Sequence, residues 1–177
     1  MTKFINLLTV IRILLAPIIL CFLIFEEYLI CTLLFFLAGI TDYFDGYLAR
    51  KFNSESQLGE ILDPIADKIL VVFILIGLSV NLHSNLIAVM SSFIISREIS
   101  VAALRDYAAR NKMSHKTKVT FLAKSKTALQ LFTIMLYLVA LTLDLNLLII
   151  IGDISLIAAA LITLYTGYEY AKNIFTE

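Results

Sequence analysis

Long apolar runs without a single charge leave this chain few ways to fold; among them are Ile13–Phe25, Tyr28–Ile40 and Ile69–Val80. Hydrocarbon offers no partner for a backbone N–H or C=O, so such a segment crosses a bilayer as a helix that satisfies its own backbone. About 20 mostly apolar residues cover the roughly 30 Å of hydrocarbon. Hydrophobic residues make up 60% of the 177 positions and charged ones 16%, against about half and a quarter in soluble domains. The expectation is an all-α membrane protein with a single domain, residues 1–177. A signal peptide accounts poorly for the first run, because no small-residue cleavage site follows it and further apolar runs do. Cys21 and Cys31 lie in apolar stretches without a motif and read as buried thiols, not as a disulfide or metal pair.

The pattern places six transmembrane helices, at about Val10–Phe25, Leu29–Arg50, Leu58–Val80, Leu86–Ala108, Val119–Leu143 and Asn146–Tyr170. Ahead of them, Thr2–Thr9 is short and amphipathic and is expected to lie along the membrane surface as an interfacial helix. With six spans, one side carries both termini and the polar links Lys51–Gln57 and Ala109–Lys118. The opposite side carries Glu26–Glu27, Asn81–Asn85 and Thr142–Asn146. All 14 Lys and Arg residues fall on the first side or in the half-membrane facing it. Basic residues accumulate at the cytoplasmic face, so both termini and the polar cluster are expected there. A net charge of zero offers no basis for a nucleic-acid partner.

The chemistry concentrates in Thr41–Lys68. Asp42, Asp45, Gly46 and Ala49 are three or four residues apart and share one helix face; Gly59, Asp63 and Asp67 share a face of the next helix. A short polar link folds the two helices back on each other, and four carboxylates are expected in one gap. Each Asp near the centre of a span costs on the order of 3 kcal/mol to insert, and crowded carboxylates repel. Bound cations compensate both. An all-oxygen site suits Mg²⁺ or Mn²⁺ and not zinc, and four carboxylates suffice for a two-metal site. Gly46, Ala49 and Gly59 leave bare backbone for a flat group, and Arg50 can meet a phosphate with its planar fork. Simple close packing of two helices is the plainer reading of those small residues, and the neighbouring aspartates weigh against it.

The run D-x2-D-G-x2-A-R-x8-G-x3-D-x3-D, carried by Asp42, Asp45, Gly46, Ala49, Arg50, Gly59, Asp63 and Asp67, resembles the signature of the CDP-alcohol phosphotransferases. The resemblance implies that family's fold, with six spans and cytoplasmic termini, and a homodimer in a bacterial cell membrane. It also implies two divalent cations: Asp42, Asp45 and Asp63 around one, with Asp42, Asp63 and Asp67 approaching the second. The donor would be CDP-diacylglycerol, its cytosine against Gly46, Ala49 and Gly59, with Asn6 and Thr9 offering hydrogen bonds and Arg50 on phosphate. Asp67 is the expected general base.

Further motifs, Asn6-Leu7-Leu8-Thr9 with Arg12, Ser96-Arg97-Glu98-Ile99, Ala103-Leu104-Arg105 and Lys124-Ser125-Lys126-Thr127, look like those of bacterial phosphatidylglycerophosphate synthases. That likeness implies glycerol 3-phosphate as acceptor, its phosphate on Arg97, Arg105, Lys124 and Lys126. Cations buried there are costly unless they meet an anion or snorkel to the interface. Snorkelling is the competing reading for Lys124, and an ion pair with Glu98 is the competing reading for Arg97. Serine, inositol phosphate or phosphatidylglycerol stay open as acceptors, although serine lacks a phosphate. A divalent-cation transporter also explains intramembrane aspartates. It leaves unexplained their confinement to one membrane face, since Leu29–Ile40 and Ile69–Val80 carry almost no polar group. His83, His115, Asp144 and Asp153 receive no role.

Overall fold

The computed structural model describes the backbone of residues 2–51, 57–111 and 121–175, with side chains described for all of these except 2–6, 43, 45–51, 57, 58, 60 and 121–124. The described residues form six helices: α1 Thr2–Ile24, α2 Tyr28–Lys51, α3 Gln57–Asn81, α4 Asn85–Arg110, α5 Phe121–Leu143 and α6 Asn146–Phe175. Four segments are long and apolar enough to cross a membrane: Leu7–Ile24, Asn85–Arg110, Ser125–Leu143 and Asn146–Phe175. In α2 the apolar part is the shorter Tyr28–Asp42. The cause is local, because α2 and α3 each devote one half to charged residues, from Asp42 to Lys51 and from Glu60 to Lys68.

The surface stretch expected at Thr2–Thr9 is continuous with the first apolar run in one 23-residue helix. Nothing between Thr2 and Thr9 breaks a helix, and Pro17 lies well beyond it. The helices run past several expected boundaries, α6 as far as Phe175.

Three connections are tight and alike. Glu26, His83 and Asp144 each take the left-handed conformation, with φ of 62°, 47° and 53°. The amide after each donates back across the helix end, Glu27 to Phe22 O, Ser84 to Ser79 O and Leu145 to Ala140 O. These bonds satisfy carbonyls the helix leaves open and turn the chain sharply. Asn81 Nδ2 adds a bond to Leu23 O at 3.0 Å, tying the first turn to the second.

Inside the bundle α1 packs against both α2 and α3, α5 against α6 and α2, and α4 against α6 and α3. Sequence spacing led to the expectation that α2 and α3 meet directly. Among the described residues they do not pack on each other; α1 lies between them. The core is Ala16, Ile19 and Leu23 of α1 against Leu70, Ile74 and Leu78 of α3, extended by Phe35, Tyr137 and Leu156. Lipid tails are as apolar as these side chains, so close packing and small residues hold such helices together. Gly77 shows this, since a Cβ there would stand 2.9 Å from both Leu20 Cδ1 and Leu23 Cδ1. Cys31 is buried, as expected for both thiols, but Cys21 is exposed, because it falls on the face of α1 turned away from α3.

Candidate functional site

The wedge position of α1 decides how the carboxylates are arranged. Arg12 is 1% exposed, and a buried guanidinium requires opposite charge close by. Its Nη1 donates to Asp42 Oδ1 at 2.5 Å and to Asp67 Oδ1 at 2.9 Å. Carboxylates from α2 and α3 thus converge on one nitrogen supplied by α1. One turn earlier on the same helix, buried Thr9 donates from Oγ1 to Asp63 Oδ1 at 2.8 Å. Asp42 and Asp67 keep 48% and 45% of their side chains exposed, so both remain open to a ligand.

Sequence reasoning used Arg12 only to flank a motif. A signal was present, since it is the single charged residue between Val10 and Phe25, and an ionisable group inside a span is a functional candidate by default. Of the other expected residues here, Gly59 is buried in α3. The side chains of Asn6, Asp45, Gly46, Ala49 and Arg50 lie outside the described residues.

The donor set fits a hard cation in its chemistry: oxygen ligands throughout, and two carboxylates already closed around a positive charge. Among the described residues no three acidic groups stand close enough to enclose an ion, and Asp45 is not among them.

Two cavities meet at Asp67. One, of about 510 Å³, runs between α1, α2, α3 and α5; Phe35, Phe36, Gly39, Phe132 and Met135 line it, with Arg12, Asp42 and Asp67 at its polar end. Gly39 borders open space there, as a Cβ at that position would meet nothing within 4 Å. The other, of about 180 Å³, lies among α3, α4 and α5 and is lined by Asp67, Lys68, Arg97, Glu98, Arg105 and Lys126.

The second cavity brings together three of the four expected basic residues; the side chain of Lys124 lies outside the described residues. Arg97 and Lys126 are buried, at 7% and 6% exposure. Arg97 Nη1 donates to Glu98 Oε1 at 3.0 Å, and Lys126 Nζ donates to the same oxygen. The ion pair weighed against a binding role for Arg97 therefore exists, and it lies within the cavity wall. Arg105 is exposed, its guanidinium 5.7 Å from the centroid of the Tyr170 ring, within range of a cation–π contact.

Helix α6 stands behind this wall. Arg97 Nη2 donates to Thr166 Oγ1 at 3.0 Å, and Thr166 Oγ1 donates to Thr163 O at 3.0 Å. Gln130 Nε2 donates to Thr163 Oγ1 at 3.0 Å. A Cβ at Gly167 would stand 2.8 Å from Arg97 Cγ, so only glycine lets the arginine stem pass. None of Thr163, Thr166 and Gly167 carries a motif, and sequence reasoning had no way to find them.

The profile of the CDP-alcohol phosphatidyltransferase family matches residues 4–166. A CDP-diacylglycerol–glycerol-3-phosphate 3-phosphatidyltransferase of Blochmanniella floridana is 41% identical over 174 residues, covering 94% of this chain and 88% of that protein. The enzyme of the same name from Rickettsia bellii is 40% identical over 171 residues, with 94% and 92% covered. That of Haemophilus influenzae is 38% identical over 134 residues, with 72% and 70% covered.

Proposed function

This chain belongs to the CDP-alcohol phosphatidyltransferase family, and from that premise we propose that it transfers the phosphatidyl group of CDP-diacylglycerol to glycerol 3-phosphate, releasing CMP. The observation that carries the reading is the position of Asp67 on the walls of both cavities. On one side lies an apolar space that suits acyl chains, with carboxylates at its polar end. On the other lies a small basic pocket that suits a phosphate.

The acceptor phosphate docks on Arg97, Arg105 and Lys126, with Lys124 as a further cation, and brings its hydroxyl toward Asp67. The carboxylate of Asp67 takes the hydroxyl proton. The freed oxygen attacks the phosphorus that carries diacylglycerol, and the bond from that phosphorus to CMP breaks. Thr9 and Arg12 position Asp63, Asp42 and Asp67. Asn6, Gly46, Ala49, Arg50 and Gly59 receive the nucleotide.

Members of this family generally depend on divalent cations. Asp42, Asp45, Asp63 and Asp67 would hold two, Mg²⁺ or Mn²⁺. The chemistry supplied there is neutralisation of the pyrophosphate and of the departing phosphate.

All six helices are read as crossing the membrane. Tight turns join α1 to α2 and α3 to α4, so α2 and α3 run antiparallel to helices that are apolar enough to span. At 24 residues and about 1.5 Å per residue, α2 is long enough. The distribution of basic residues supports a cytoplasmic position for both termini and the site. Homodimerisation remains an expectation from the family.

The decisive assay gives purified protein CDP-diacylglycerol with glycerol 3-phosphate, serine, inositol phosphate or phosphatidylglycerol in turn and measures CMP release. Release with glycerol 3-phosphate alone, abolished by chelation, is the expected result. A preference for another alcohol, or turnover indifferent to chelation, refutes the reading.

A further inference from the structure

The basic pocket contains its own anion. Arg97 Nη1 and Lys126 Nζ both donate to one oxygen, Glu98 Oε1, from neighbouring positions in the wall. Glu98 is largely buried, at 19% exposure, and with Arg97, Arg105 and Lys126 it leaves the cluster two net positive charges. Two cations facing each other in such a place are costly without an anion. The carboxylate answers that need only in part, and its contact falls on groups assigned to the acceptor.

We propose that Glu98 is a specificity-determining residue that occupies the anion-binding donors of the basic pocket, so that only a phosphate dianion displaces it. The inference rests on the phosphate-acceptor reading and deepens it. A carboxylate offers one charge and two oxygens, and here one oxygen serves both donors. A phosphate dianion offers two charges and three terminal oxygens, enough to engage Arg97, Lys126 and Arg105 together. It outcompetes Glu98, whereas a monoanion of similar size gains nothing by replacing one carboxylate with another. Selectivity here arises from a built-in competitor, which weakens every anion by the same factor, so that only one with enough charge and oxygens still binds. The arrangement also keeps the phosphate-bearing product from being held too tightly.

The test uses the purified enzyme with inorganic phosphate as probe and glycerate as the monoanionic control, both as inhibitors against glycerol 3-phosphate. In the wild type, phosphate competes and glycerate does not. In Glu98→Gln, the inhibition constant of phosphate is expected to fall about fivefold or more and glycerate to become a measurable inhibitor, with the KM for CDP-diacylglycerol unmoved. An unchanged or higher phosphate constant, or an equal change in donor KM, overturns the proposal and leaves Glu98 as packing between helices. Should Glu98→Gln not fold, Glu98→Asp keeps the charge on a side chain too short to reach both cations. It is expected to move the phosphate constant the same way by less, and no movement overturns the proposal. Failure of phosphate to compete in the wild type refutes the phosphate-acceptor reading and this inference with it. Competition in the wild type with no response in the variants refutes the inference alone.

Discussion

Two charge clusters flank the cavities, and they are built as opposites. In one, carboxylates from two helices share the guanidinium of Arg12. In the other, an arginine and a lysine share the carboxylate of Glu98. Among the described residues each is centred on one shared counter-ion and carries more charge than that ion cancels, so each is prepared for a ligand of opposite sign, a cation in the first and an anion in the second. They differ in exposure. Asp42 and Asp67 are nearly half exposed around a buried arginine, whereas Arg97 and Lys126 are themselves buried. An ion approaches the first cluster directly; the buried cations of the second line a small, partly open cavity. Asp67 belongs to both, as a member of the acidic cluster and a wall of the basic pocket.

The strongest test strikes that shared residue. Asp67→Asn preserves size and is expected to keep donor binding while lowering the rate of CMP release by about 10² or more, the usual loss when a general base is removed. Near-normal turnover would break the comparison at its centre.

Arg12→Gln probes the acidic cluster alone. Removing one partner of a fully buried pair costs about 3–5 kcal/mol; with carboxylates this exposed, about 2 kcal/mol is expected. The readout is the thermal midpoint in detergent with chelator, followed by addition of Mn²⁺. The variant should melt earlier and regain more on adding metal than the wild type, because its carboxylates then lack the guanidinium they share. Equal gains in both proteins would mean that Arg12 does not share the place a cation takes.

Lys126→Ala does the same for the basic pocket. The KM for glycerol 3-phosphate should rise by about tenfold, with the KM for CDP-diacylglycerol changing by less than about twofold. Equal changes in both would remove Lys126 from the acceptor side.

The smallest effect is expected at Thr166→Val, which keeps the shape and removes the acceptor of Arg97 Nη2. One buried hydrogen bond is worth about 1 kcal/mol, so the acceptor KM should rise by about threefold to fivefold without loss of fold. If donor and acceptor constants rose together, α6 would be supporting the bundle and not the pocket.

Much of this was legible from residue order. Apolar length separates the helices, and i, i+3, i+4 spacing aligns Asp63 with Asp67 because a helix has a fixed period. The eight motif positions between Asp42 and Asp67 were sufficient for a resemblance to the family. Ser96-Arg97-Glu98 exposed the possibility of an ion pair at once, since the two charges adjoin. What could not be read is which helix would lie between which. No local rule says that α1 separates α2 from α3, so the direct meeting of the aspartate helices was expected and not found. For the same reason Arg12 passed as a motif flank, and the bond from the hydroxyl of Thr9 to Asp63 was not foreseen.

Residue order thus determines the apolar character of the helices, the ends of most of them, and which stretches carry the carboxylates and the cations. These follow from transfer free energy and helical periodicity, which act within one segment. The pairing of charges, the two cavities and the service of Thr166 and Gly167 to Arg97 are decided by tertiary structure alone. They depend on distances between segments far apart in sequence, 69 residues for Arg97 and Thr166, and in hydrocarbon those distances are set by the shape of packed side chains, which no single stretch of sequence encodes.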